Sequence, residues 1–169
     1  MDLFQAIHTR RSIRKFLPEP ISSSDVQEIL SAAMMAPSAG NEQPWQFVVI
    51  TDRTKLDAVV PIHGYAAMAA HAPLAVLVCG DLSLEKYSGF WIQDCSAAMQ
   101  NLLLAAHAKG LGAVWCGVYP VKERVDGFKR LFHLPEQVIP LGLAVMGWPA
   151  HSPESKSRFR PERIHDNEW

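Results

Sequence analysis

Three arginines and a serine stand within five residues at Arg10, Arg11, Ser12 and Arg14. Guanidinium groups grip a phosphate dianion through paired hydrogen bonds, and a hydroxyl or backbone amide adds another. The stretch therefore has the composition of a site for one phosphate; a solvated basic turn is the plainer reading of the same residues. A second dense stretch runs Ala36, Pro37, Ser38, Ala39, Gly40, Asn41, Glu42, Gln43, Pro44, Trp45. Asn and Gln amides pair donors with acceptors in the way a planar, amide-rich heterocycle does, and the prolines and glycine keep the backbone stiff and close. A proline-bracketed loop around a buried Trp45 is the plainer reading here. The histidines, His8, His63, His71, His107, His133, His151 and His165, form no HxxxH and pair with no CxxC, so no metal is expected. Cys116 has no neighbouring base with an orienting group and reads as packing rather than as a nucleophile. Met34, Met35 and Met99 read as core fillers.

These stretches sit in a chain of 169 residues, 49% of them apolar, which suits one domain spanning 1–169 that buries roughly 70% of its unfolded surface. Sixteen basic and seventeen acidic residues leave a net charge of -1. No global field exists to hold nucleic acid or an anionic membrane, and any anion must be met locally. Cys79, Cys95 and Cys116 are odd in number and set among apolar residues, the pattern of reduced thiols, which points to the cytoplasm. Met1 to Lys15 lacks the apolar core of a secretory signal, and no apolar run approaches the ~20 residues of a membrane span.

The elements that must position these residues follow from periodicity. Asp2 to Thr9 suits a short helix with Leu3, Phe4 and Ile7 on one face, and Pro18 and Pro20 stop any helix beyond it. Ser24 or Asp25 can cap a second helix carrying the stripe Val26, Ile29, Leu30, Ala33, Met34, which Pro37 ends. Phe47–Ile50 and Leu74–Cys79 read as buried strands joined by an alanine-rich helical connection. Ile92, Cys95, Ala98, Met99, Leu102, Leu103 and Ala106 give a helix from Trp91 to Lys109 with Gly110 as its terminator. Ala113–Val118 reads as a third strand, Val121–Phe132 as a helix and Ile139–Met146 as a fourth strand. Residues 150–169 are polar and proline-broken, either disordered or draped over another surface. Strands alternating with helices would by themselves suggest parallel α/β units.

RRSIRKF followed by APSAGNEQPWQFVVI resembles the nitroreductase family of flavoproteins, in which an arginine-rich start and a Pro-Ser-x-x-Asn-x-Gln-Pro-Trp segment recur in that order. The likeness continues through VLVCGD, QDCSAAMQNLLLAAHAKGLGAVWCGVYP, VIPLGLAVMGWP and KSRFRPERIHDNEW, across essentially the whole chain. The resemblance implies an α+β fold, a mostly antiparallel sheet flanked by helices, in an intertwined homodimer with residues 150–169 exchanged as an arm. It implies FMN as cofactor and NAD(P)H as co-substrate. Arg10, Ser12 and Arg14 would hold the phosphate and ribityl end, Arg11 would supply a backbone amide or a contact near the pyrimidine ring, and Lys156 and Arg158 would add charge at the same phosphate. Pro37, Ser38, Asn41 and Gln43 would pack along a flavin held mainly by the other subunit, while Trp115, Cys116 and Gly117 would lay their backbone near N5. His165, Asn167 and Trp169 would belong to the exchanged arm.

With flavin performing the redox step, no protein side chain need be catalytic; the protein positions and tunes the cofactor. The expected reaction is transfer of hydride from nicotinamide through flavin to a nitroaromatic, quinone or similar small acceptor in a ping-pong cycle. Dehalogenation, dehydrogenation, flavin fragmentation or flavin carriage are the alternatives on the same fold. The segment PIHGYAAMAAHAP departs from the asparagine and lysine that some family members use beside the flavin, and leaves the N1 partner unassigned.

Overall fold

In the computed structural model, which describes residues 1–169, the Asp2 carboxylate accepts from the Gln5 amide and caps α1 (Leu3–Thr9). The apolar face of α1 is turned outward: Leu3, Phe4 and Ile7 are exposed and only Ala6 is buried. Helix α2 (Ser23–Met34) begins earlier than Ser24 or Asp25 would start it. Ser22 is the cap, because its hydroxyl accepts from the Asp25 amide and also donates to the Asp25 carboxylate, a reciprocal arrangement the later candidates lack. Met34 and Met35, expected in the core, are 47% and 79% exposed, since the chain turns toward Pro37 before they can be covered; Met99 is fully buried.

Strands β1 (Trp45–Ile50), β2 (Leu74–Asp81), β3 (Gly112–Gly117) and β4 (Val138–Gly147) form one antiparallel sheet in the order β1-β2-β4-β3. β4 inserts between β2 and β3, so the parallel pair that a β2–helix–β3 succession suggests never forms. The long helix α4 (Trp91–Ala108) ends on Lys109 and Gly110, the latter at φ 84, where a glycine is needed. With α2 it covers one face of the sheet through Ile29, Ala98, Met99 and Leu102 against Val76, Val78 and Ala144. Helices α3 (Arg53–Val59) and α5 (Lys122–Phe132), with a 3-10 stretch over Gly64–His71, cover the other through Leu56, Val59 and Phe128. β2 and β4 are buried on both faces; β1 is an edge strand with Gln46 and Val49 exposed, not the buried strand its apolar run suggested. A short β-branched run fits either position, and only pairing decides. No helix is long and apolar enough to cross a membrane.

Candidate functional site

Beyond α1 the chain extends along the open edge of β3. The Ile13 amide donates to the Ala113 carbonyl at 3.0 Å, and Ser12 pairs with Ala113 in a parallel bridge. Strand alternation turns Ile13 into the core and Ser12 and Arg14 outward. Gly112 makes this approach possible: a Cβ there would lie 2.7 Å from the Ile13 side chain. The Arg11 guanidinium donates to the carbonyls of His8 and Arg10, to the Ser155 hydroxyl at 2.6 Å and to the Lys156 carbonyl at 2.9 Å, while Ser155 donates to the His8 carbonyl. Arg11 thus stitches the C-terminal segment to α1 and brings Lys156 and Arg158 beside Arg10 in a cleft of about 560 Å³. Burial and the neighbouring Arg158 and Arg11 charges lower the Arg10 pKa from its ordinary value. Arg10, Arg11, Lys156 and Arg158 pair with no carboxylate; the chain's ion pairs lie elsewhere. Four cations converging without counter-charge describe an anion site.

Arg14 stands apart from that cluster. It lines a second cleft, about 400 Å³, with His63, Tyr65, Trp115, Cys116, Gly117 and Arg124. Because the Ala113 carbonyl points away from β4 to meet Ile13, alternation turns the backbone groups of Trp115 and Gly117 the same way. The Gly117 carbonyl accepts from His63 Nε2 at 2.8 Å and from Arg124 at 3.0 Å. That contact makes Nε2 the protonated nitrogen; burial holds the His63 pKa below its ordinary value, and Nδ1 is left buried without a partner. The Gly117 amide lies on the same open edge, fixed by what grips its carbonyl. Burial pushes the Cys116 thiol up, although Arg14 and Arg124 pull the other way, so it is a thiol and not a nucleophilic thiolate. The Trp115 indole is half-exposed and lies over Gly142.

The loop from Pro37 to Gln43 is at the opposite edge, leading into β1. Three interstrand spacings, roughly 14 Å, separate β1 from β3, so one chain does not bring Pro37, Ser38, Asn41 and Gln43 to the arginines. Gly40, Asn41 and Gln43 all take left-handed backbone angles, φ 53, 54 and 49, a strained run that its surroundings must hold. The Ser38 hydroxyl accepts from the Gln43 amide, the Asp94 carboxyl on α4 accepts from the Ala39 amide, and Glu42 accepts from the amides of Lys86 and Tyr87 at 2.7 and 3.1 Å. Glu42 and Asp94 are both buried, and each keeps one oxygen with no other donor. Two such oxygens side by side satisfy one another when one carboxyl keeps its proton.

The family model described as the nitroreductase family matches residues 7–72 and 61–148. The chain belongs to the nitroreductase family. A nitroreductase relative from Methanothermobacter thermautotrophicus, named "Putative NADH dehydrogenase/NAD(P)H nitroreductase", is 51% identical over 100% of this chain and 88% of its own length. A crystal structure of the same name from Parabacteroides distasonis superposes with a TM-score of 0.95 at 37% identity, covering 98% of both chains. The NADPH:FMN oxidoreductase from Vibrio harveyi, complexed with NAD+, gives a TM-score of 0.87 at 27% identity over 98% of this chain and 77% of that one.

In this nitroreductase-family chain the candidate residues fall into three places: Arg10, Arg11, Lys156 and Arg158 together; Arg14 with Trp115, Cys116 and Gly117; and the Pro37–Gln43 loop alone. Ser12 lies on the edge between the first two. Asp94, Tyr65 and Arg124 have no role in the sequence reading, and Glu42 and His63 enter it without a part in the site. Asp94 did carry a signal, an acid on the apolar stripe of α4 between Trp91 and Cys95, and Glu42 sat in a loop already read for its amides.

Proposed function

We propose that this nitroreductase-family protein is an NAD(P)H-dependent FMN oxidoreductase that reduces small electron-poor acceptors, nitroaromatics and quinones among them, in ping-pong order. The reading rests on one observation above all: Arg10, Arg11, Lys156 and Arg158 converge with no carboxylate among them. A phosphate monoester matches that charge, and FMN carries one. When bound, FMN supplies the two-electron chemistry, and the protein supplies position and field. Arg10, Lys156 and Arg158 would hold the phosphate, and Ser12 would add a hydroxyl beside them. Arg14, in the Cys116 cleft, is the guanidinium that would stabilise negative charge on the pyrimidine side, the role that the departure at PIHGYAAMAAHAP left unassigned. The Gly117 amide, held through its carbonyl by His63 and Arg124, directs a donor at the ring edge.

The Pro37–Gln43 loop serves the site of a second copy, since its own chain holds it across the sheet. A homodimer also gives cover to Leu3, Phe4, Met35, Phe159, Ile164 and Trp169, which a lone chain leaves in water. Three unpaired, buried thiols accord with the cytoplasm. The test is the Arg10→Ala/Arg158→Ala double variant. It should purify as a folded dimer that loses its yellow colour on desalting, and unchanged flavin content would remove the phosphate assignment. For the wild type, parallel double-reciprocal lines with nicotinamide and a nitroaromatic are the expected kinetic pattern; intersecting lines would exclude ping-pong order.

A further inference from the structure

We infer that Arg124 recognises an anionic oxygen group, a carboxylate or phosphate, on the molecule that meets the flavin, and so sets charge preference at the site. The inference rests on the reading above. The 400 Å³ cleft holds two guanidiniums, Arg14 and Arg124, and no carboxylate lines it. Arg14 is committed to the cofactor. Arg124 is held in place from two sides: one of its nitrogens donates to the Gly117 carbonyl at 3.0 Å, and its guanidinium carbon stands 5.7 Å from the centroid of the Tyr65 ring. This fixes the plane of the group while leaving its remaining N–H donors uncommitted, because Arg124 joins no ion pair.

Its place in the helix argues the same way. Arg124 is in the first turn of α5, whose N-cap residue Val121 offers no side-chain bond. A cation there opposes the helix dipole and weakens the helix, so helix stability does not explain it. Tyr65 is 79% exposed beside it, an aromatic face open to a planar ligand. A flat ring on Tyr65 with a negatively charged substituent reaching Arg124 satisfies both groups.

The experiment compares 4-nitrobenzoate with 4-nitrobenzyl alcohol, which share a ring and differ in charge, on flavin-loaded wild type, Arg124→Gln and Arg124→Lys. In Arg124→Gln the KM for 4-nitrobenzoate should rise roughly tenfold relative to that for the alcohol, the loss expected for one charge-assisted hydrogen bond, with partial recovery in Arg124→Lys. If the KM for the nicotinamide rises instead, with either acceptor, the anion that Arg124 meets is the cosubstrate's phosphate. Equal effects on both acceptors with no change for nicotinamide would overturn the inference, as would loss of flavin from Arg124→Gln. Should that variant fail to fold, added salt should raise the wild-type KM for an anionic reactant and not for the alcohol, and no salt dependence would overturn the inference as well. A wild type that holds flavin but turns over neither acceptor would sink the functional reading itself.

Discussion

Glu42 and Asp94 are the least conventional residues of the site, two acids buried together under a strained loop. Burial raises the Asp94 pKa, and the neighbouring Glu42 and Glu85 charges add to it against the Ala39 amide. Burial also works against ionised Glu42, but the Lys86 and Tyr87 amides, Asp94 and the Lys86 charge bring its pKa below the ordinary value. A proton shared by the two acids is therefore favoured on Asp94 over Glu42. The signs fix a window. Asp94's contribution is present at low pH and lost as pH rises through its raised folded value, whereas Glu42's is present above its unfolded value and lost as pH falls through its depressed one. Thermal melts across pH should show wild-type stability declining on the alkaline side of that window. Asp94→Asn, whose amide donates to Glu42 at any pH, should flatten that alkaline limb; an unaltered limb would show that the two acids do not share a proton.

At the scale of elements, the arginine cluster depends on a strand edge. The Arg10–Arg14 segment is not in the sheet by propensity; it is there because β3 has a free side and Gly112 has no Cβ to meet Ile13. Gly112→Ala should therefore cost about 1–3 kcal/mol of stability, the usual penalty of overpacking. It should also weaken FMN binding more than a neutral core substitution of equal cost, because the displaced segment carries Arg10 and Arg14. Denaturant titration alongside flavin titration separates the two effects. The same free edge leaves the Gly117 backbone open to the cleft.

For the whole molecule, the Arg10–Arg14 segment and the Pro37–Gln43 loop lie at opposite edges of one sheet, and α1 shows its apolar face to water. Replacing Leu3 and Phe4 by Asp touches no core packing, as they are 66% and 71% exposed. The double variant should remain folded, sediment as a monomer and release flavin; a flavin-bound dimer would show that α1 is not at the interface. Lys156 and Arg158 stand out only through the family resemblance; the arginine run and the Pro37–Gln43 loop stand out in the residues alone by side-chain type, and α4 by its long apolar stripe. Those are local properties, and a sequence carries them directly. Strand order, the outward turn of Leu3 and Phe4, the exposure of Met34 and Met35, the separation of Arg14 from Arg10, and the meeting of Glu42 with Asp94 and of Arg124 with Gly117 were settled only in three dimensions. Each is a contact between segments distant in the chain, chosen by which surfaces pack and which backbone edges pair, and no local pattern encodes that choice.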